Sequence, residues 1–287
     1  MGSRGVLLFG GSNALPRSGG VLQKDVWLLR DGKWTAAAAE LPFISDVRFG
    51  ADVTVWDPDT ARVVAITDVG AVYVYDPVAD RWERRATSGG PRAVDSLRGA
   101  YDPKSRRVLV FGGADTWAYD VTANTWSQLS PRTSAPPRRW TAVVRHARSE
   151  VFVMFGGTDL GDTWTYDAST NEWKEMKPAL APSGRKYHAM AYDERADRIV
   201  LFGGAAGPQD RETPFGDTWT YDLARNEWIE VRSATAPTPR GWHAMAYDTS
   251  VGRVVLFGGG PHRDAYSAET WVFDTTASSW SHLTTSP

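Results

Sequence analysis

The chain has 287 residues, and its 32 Lys plus Arg nearly balance 34 Asp plus Glu, for a formal charge of −2. That balance gives no electrostatic reason to expect nucleic acid or an acidic membrane as partner, and no apolar run approaches the roughly 18 residues of a membrane span. Cysteine is absent, which excludes disulfides and thiolate metal sites, whereas the 14 Trp call for an explanation.

The N-terminal MGSRGVLLFGG lacks the apolar core and cleavage site of a signal peptide. It contains the first copy of a repeated phrase. VLLFGG at Val6 returns as VLVFGG at Val108, FVMFGG at Phe152, IVLFGG at Ile199 and VVLFGG at Val254. A second phrase follows each of these: DVWLLR at Asp25, DTWAYD at Asp115, DTWTYD at Asp162 and Asp217, and ETWVFD at Glu269. A third ends each unit on Trp34, Trp82, Trp126, Trp173, Trp228 or Trp280, which makes six units spaced 44 to 55 residues apart. Each unit reads as four short strands. In the fifth, HAMAYD from His188 is strand a, RIVLFGG from Arg198 strand b, TWTYD from Thr218 strand c and EWIEV from Glu227 strand d. All are β-branched or aromatic and bounded by Asp, Asn, Gly or Pro, and no segment keeps a helical period over ten residues.

Four strands in each of six units predict an all-β, six-bladed β-propeller with four-stranded antiparallel blades. The Gly-Gly after strand b, the aromatic of strand c and the Trp of strand d together resemble the Kelch repeat over nearly the whole chain. The blades are expected at about 4–36, 47–86, 92–130, 137–177, 184–232 and 239–283 of a single domain spanning 1–287. The phrases HAMAYD and DTWTYD resemble those of bacterial Kelch proteins. The glycines are read as turn formers and the Trp as filling between blades. Two units depart from the pattern. Unit 2 has Thr67 and Asp68 in place of Gly-Gly, and unit 1 begins on strand b, so the first blade is expected to lack its inner strand and to join blade 6 weakly.

Antiparallel order puts the b–c loops, the d–a loops and the start of strand a on one face, at the channel mouth. The b–c loops of units 2, 3 and 4 are tight, and those of units 5, 6 and 1 are long, which predicts a wall over one half of that face. In units 4, 5 and 6 strand a is preceded by an Arg and, two residues on, an aromatic: Arg138 and Trp140, Arg185 and Tyr187, Arg240 and Trp242. Arg suits bidentate recognition of a carboxylate, and the resemblance to Kelch adaptor domains implies peptide binding on this face. The alternative is structural, with Arg bonding backbone carbonyls or the Asp before the strand c Trp. Arg48, His262 and Arg263 are further candidates for ligand contact.

His188 and His243 follow the aromatic in register, and the same slot holds Asp52 in unit 2 and Leu97 in unit 3. Asp52, Asp68 and Asp95 are therefore expected to gather carboxylates in one sector of the mouth, and with the two His they are the candidate catalytic groups. Other chemistries fail on residues. The radical copper site of galactose oxidase, another Kelch-type protein, needs a Cys crosslink. None of the five His has the Asp four positions earlier that the iron site of Kelch specifier proteins requires. No Walker loop, nucleophile elbow or HExxH occurs. No metal or cofactor is expected. The first expectation is a monomeric binding module for a protein segment or small polar or acidic ligand, with a second chain closing the incomplete blade as the exception. The alternatives are a cofactor-independent isomerase, lyase or cyclase at the same face, or a carbohydrate-binding propeller.

Overall fold

The computed structural model describes residues 6–9, 23–41, 51–91, 96–208, 211–262 and 265–284. Alternating apolar residues between Asp, Asn and Gly turns form strands that pair only with their sequence neighbours. Blade 1 holds β1 (Val6–Phe9), β2 (Val26–Arg30) and β3 (Lys33–Ala36). Blade 2 holds β4 (Ala51–Asp57), β5 (Arg62–Thr67), β6 (Val72–Asp76) and β7 (Arg81–Arg85). Blade 3 is β8 (Arg98–Asp102), β9 (Arg107–Gly112), β10 (Asp115–Asp120) and β11 (Thr125–Leu129), and blade 4 is β12 (Ala142–His146), β13 (Val151–Phe155), β14 (Thr163–Asp167) and β15 (Glu172–Met176). In blade 5, β16 (Ala189–Asp193), β17 (Arg198–Phe202), β20 (Thr218–Asp222) and β21 (Glu227–Val231) form the blade, and the short pair β18 (Ala205–Ala206) and β19 (Thr213–Pro214) stiffens its long b–c loop. Blade 6 is β22 (Gly241–Asp248), β23 (Arg253–Gly260), β24 (Thr270–Asp274) and β25 (Ser279–Leu283).

Every pairing within a blade is antiparallel, so the chain is an all-β, six-bladed propeller with β4, β8, β12, β16 and β22 around the axis. Blade 1 has three strands among the described residues. Its β1 is half-buried throughout, whereas β9, β13 and β17 each bury four consecutive residues. The core is a set of clusters between blades, such as Val153, Phe155, Ile199, Leu201 and Trp228 between blades 4 and 5.

Two repeated bonds explain the repeated letters. The Trp of strand d donates its indole N–H to the Thr at the start of strand c in the preceding blade: Trp228 to Thr163 (3.0 Å), Trp280 to Thr218 (2.9 Å) and Trp173 to Thr116 (3.4 Å). Trp34 makes the same bond to Thr270 (3.1 Å), so it also joins blade 1 to blade 6. The Gly-Gly corner meets the start of the next blade. Gly157 N–H donates to the Arg185 carbonyl (2.8 Å) and Gly204 N–H to the Arg240 carbonyl (2.9 Å). Gly203 and Gly204 have φ of 61° and 99°, and a Cβ on Gly203 would stand 2.4 Å from the Arg240 oxygen, a contact only glycine avoids.

Candidate functional site at the channel mouth

The mouth is built from the residues just before each inner strand. Arg138, Arg185 and Arg240 are buried there, each held inside its own blade. Arg185 forks onto Asp217 (2.6 and 2.7 Å), donates to the Gly203 carbonyl (2.9 Å) and through Nε to the Ser183 carbonyl (2.9 Å). Arg138 repeats this with Asp162 (2.5 and 2.8 Å) and the Gly156 carbonyl (3.1 Å), and Arg240 with Glu269 (2.7 Å) and the Gly258 carbonyl (3.1 Å). The same carboxylates accept the indole N–H two residues on, from Trp164 (2.6 Å), Trp219 (2.7 Å) and Trp271 (3.2 Å). Burial pushes the Asp217 carboxyl up, but the Arg185 fork and the Trp219 N–H outweigh it and leave the group below its ordinary range. The guanidiniums expected to contact an anion thus spend their donors on the Asp or Glu before the strand c Trp and on backbone carbonyls.

Two residues beyond each Arg the chain enters the left-handed region, at Trp140 (φ 57°), Tyr187 (61°) and Trp242 (58°). Bulky side chains rarely adopt that backbone, and it costs on the order of 1 kcal/mol each. Here it brings successive aromatics together beside the mouth, with Tyr187 itself buried between the two half-buried Trp. The Tyr187 N–H donates to the Trp140 carbonyl (3.2 Å) and the Trp242 N–H to the Tyr187 carbonyl (2.9 Å). The Tyr187 ring lies 5.1 Å from Trp140 and stacks on Trp242 at 4.5 Å. Ser96 (φ 66°) holds the same position in blade 3 and continues the chain of contacts, its hydroxyl accepting the Trp140 N–H (3.0 Å).

Lys186 sits against this strip, with its ammonium 5.7 Å from the Trp140 ring centroid and 5.6 Å from that of Tyr187. It donates to the Gly207 carbonyl (2.6 Å) and pairs with Glu212 (3.6 Å) and Asp159 (3.7 Å), tying the b–c loops of blades 4 and 5 together. No repeat signal marked it, because blades 4 and 6 have Arg139 and Gly241 in that slot.

The other sector carries charge. Asp52 accepts the Leu97 N–H (3.0 Å). Burial pushes its carboxyl up to about 6, against the pull of Arg98 and the Leu97 N–H, and the buried Asp68 adds to the rise. Arg98 is itself held by the carbonyls of Thr141 (2.8 Å) and Leu97 (2.7 Å). The structure therefore brings Asp52, Asp68 and Arg98 together. Asp95, Arg48 and Arg263 lie outside the described residues, as does most of the long loop of blade 1. His262 is exposed on the b–c loop of blade 6.

His188 and His243 are buried edge-on against Phe155 (5.6 Å) and Phe202 (5.5 Å) of the preceding blade. Neither ring makes a hydrogen bond of normal geometry. Burial and then the nearby Arg240 lower His243 to about 3, and burial, Arg185 and His243 hold His188 well below its ordinary value. Both rings are thus neutral wedges at ordinary pH. Among the described residues no group of three His, Asp or Glu is placed to hold a metal ion.

Comparison with known proteins agrees with this architecture. Residues 161–287 match the model of the KLHDC2/KLHL20/DRC7 Kelch-repeats domain. Over 66 residues the chain is 38% identical to Kelch domain-containing protein 2 of Rattus norvegicus, Mus musculus and Homo sapiens, a stretch that covers 21% of this chain and 16% of those relatives. A solved structure titled "Structure of YjhT" superposes with a TM-score of 0.64 at 13% identity, covering 90% of this chain and 91% of that one. The C-terminal part of the chain, residues 161–287, is thus similar to a Kelch-repeats domain, and the whole chain shares the propeller fold.

Proposed function

We propose that this propeller is a binding module that holds a protein segment across the channel mouth, on the strip formed by Trp140, Tyr187 and Trp242. The observation that carries the reading is the strip itself. Three aromatics in consecutive blades adopt a costly left-handed backbone, and two of their rings stack at 4.5 Å. Trp and Tyr contribute most to binding where they sit rigidly beside a water-excluding wall, and the Lys186 node and the β18–β19 pair supply one. In this reading the three arginines act through position, by fixing the backbone from which the aromatics project. Planar or apolar side chains of the segment would lie on the strip. Its polar groups would reach the Asp52, Asp68 and Arg98 sector.

Phage display of random 12-residue peptides against the intact protein tests this. The expected result is enrichment of sequences rich in aromatic, Pro or Arg side chains, with binding weakened at least tenfold by Trp140→Ala or Trp242→Ala. No enrichment, or binders indifferent to both substitutions, would contradict it.

The raised carboxyl of Asp52 favours a second reading, a single acid–base centre acting on a small polar molecule. It predicts one site per chain and a small ligand whose thermal stabilisation disappears in Asp52→Asn. A ligand unaffected by that change excludes it.

A further inference from the structure

The inner strands line an open-mouthed channel of about 320 Å³, formed by the three residues before the last of β4, β8, β12, β16 and β22. It therefore opens at the a–b end of the blades, opposite the aromatic strip. One register position before each a–b turn forms its rim, and four blades place an aromatic there: Trp56, Tyr101, Tyr192 and Tyr247. Blade 4 places Arg145.

Arg145 differs from the other buried arginines. Arg98, Arg138, Arg185 and Arg240 each donate at least two hydrogen bonds to this chain. The Arg145 side chain is only 17% exposed, yet its sole ion pair among the described residues is to Asp102 at 4.0 Å, beyond hydrogen-bond reach. Asp102 is already engaged, accepting from the Ser105 hydroxyl (2.6 Å) and backbone (3.1 Å). The Arg145 Nε is shut off from solvent with no partner. The Nη atoms are not among the polar atoms shut off without a partner, and no hydrogen bond within the described residues engages them, so they are the donors left to meet an acceptor from outside the chain.

We propose that the channel binds a small monocarboxylate. Its carboxylate would pair with the Nη atoms of Arg145, which no carboxylate of the described residues approaches within 4 Å, and its flat or aliphatic body would lie among Val55, Val144, Ala191 and Ala246. The volume is at the small end of ligand pockets, suited to a body of about one ring. Guanidinium and carboxylate match in geometry as well as charge. The site is independent of the proposed peptide strip, being at the other end of the axis.

Isothermal titration with benzoate and hexanoate, and with benzamide as the neutral counterpart of benzoate, tests the assignment. Wild type is expected to bind at least one of the two carboxylates one to one and to bind benzamide at least tenfold more weakly. Arg145→Tyr restores the residue that three other blades carry, so it should fold normally and lose the carboxylate. Ala246→Phe fills the channel without touching the guanidinium and should also abolish binding. The proposal is overturned if neither carboxylate binds wild type at millimolar concentration, if benzamide binds as well as benzoate, or if either variant keeps full affinity.

Discussion

Arg185 shows what a single residue does here. Its fork onto Asp217 is fully buried on the Arg side, and its Nη1 also satisfies the Gly203 carbonyl. Removing it leaves a carboxylate and a carbonyl without their donor, a loss of about 3–5 kcal/mol for a broken buried pair. Arg185→Ala is therefore expected to lower the unfolding free energy measured by urea titration by that amount, and a change under about 1 kcal/mol would mean that the fork is not structural. Spacing alone did not reveal the pairing. The acid lies 24 residues after Arg138 and 32 after Arg185, because loops of different length intervene. The sequence offered the Asp before the Trp as one of two partners, and the choice needed the fold. Asp52 and His243 give opposite pH signatures. The carboxyl of Asp52 is raised to about 6, above its ordinary 3.8, so the folded state holds its proton longer and stability is lost as pH rises through 6. His243 is lowered from 6.5 to about 3, so stability is lost as pH falls through that window. Stability curves from pH 3 to 8 should show Asp52→Asn gaining on wild type as pH rises from about 4 to 6, and His243→Gln gaining on it as pH falls from about 6.5 to 3. The reverse order would refute both environments.

Each strand carries part of a bond made by its neighbour. The indole of Trp126 faces blade 2, where Val72 stands in the position that Thr116, Thr163, Thr218 and Thr270 hold elsewhere. Its N–H is buried without a partner, as expected when the hydroxyl is missing. Val72→Thr should supply the acceptor at nearly constant volume and raise stability by about 1 kcal/mol, measured by chemical unfolding. A destabilised variant would show that the ring cannot reach the new hydroxyl. This scale was the most legible in the sequence. The strand order, the Gly-Gly corners and the Trp of strand d all recur, and recurrence exposes a structural demand. Lys186 and Arg145 were hidden for the complementary reason. Each occurs once, in a slot that other blades fill differently, and only their surroundings give them meaning. For Lys186 those surroundings are two aromatic rings and two carboxylates.

The whole ring depends on how blade 1 meets its neighbours. The Trp34 bond to Thr270 and the packing of Trp34 on Phe257 at 5.9 Å are the same devices that join the complete blades. What differs is the half-buried β1, which has no inner strand against it among the described residues. Hydrogen exchange should therefore release the amides of β2 and β3 well before those of β17 and β20. Uniform protection around the ring would show that the junction is as firm as the others. The propeller as a whole presents two mouths of different character, one aromatic and loop-walled, the other a narrow channel with a single guanidinium. The indole N–H signals of the 14 Trp make binding at the first mouth directly observable. The measurement is a two-dimensional NMR titration with a peptide selected on the intact protein. Shifts of the Trp140 and Trp242 indoles, with Trp173, Trp228 and Trp280 unmoved in the blade core, are the predicted result. Shifts confined to Trp56 at the far mouth, or none at Trp140 and Trp242, would contradict it.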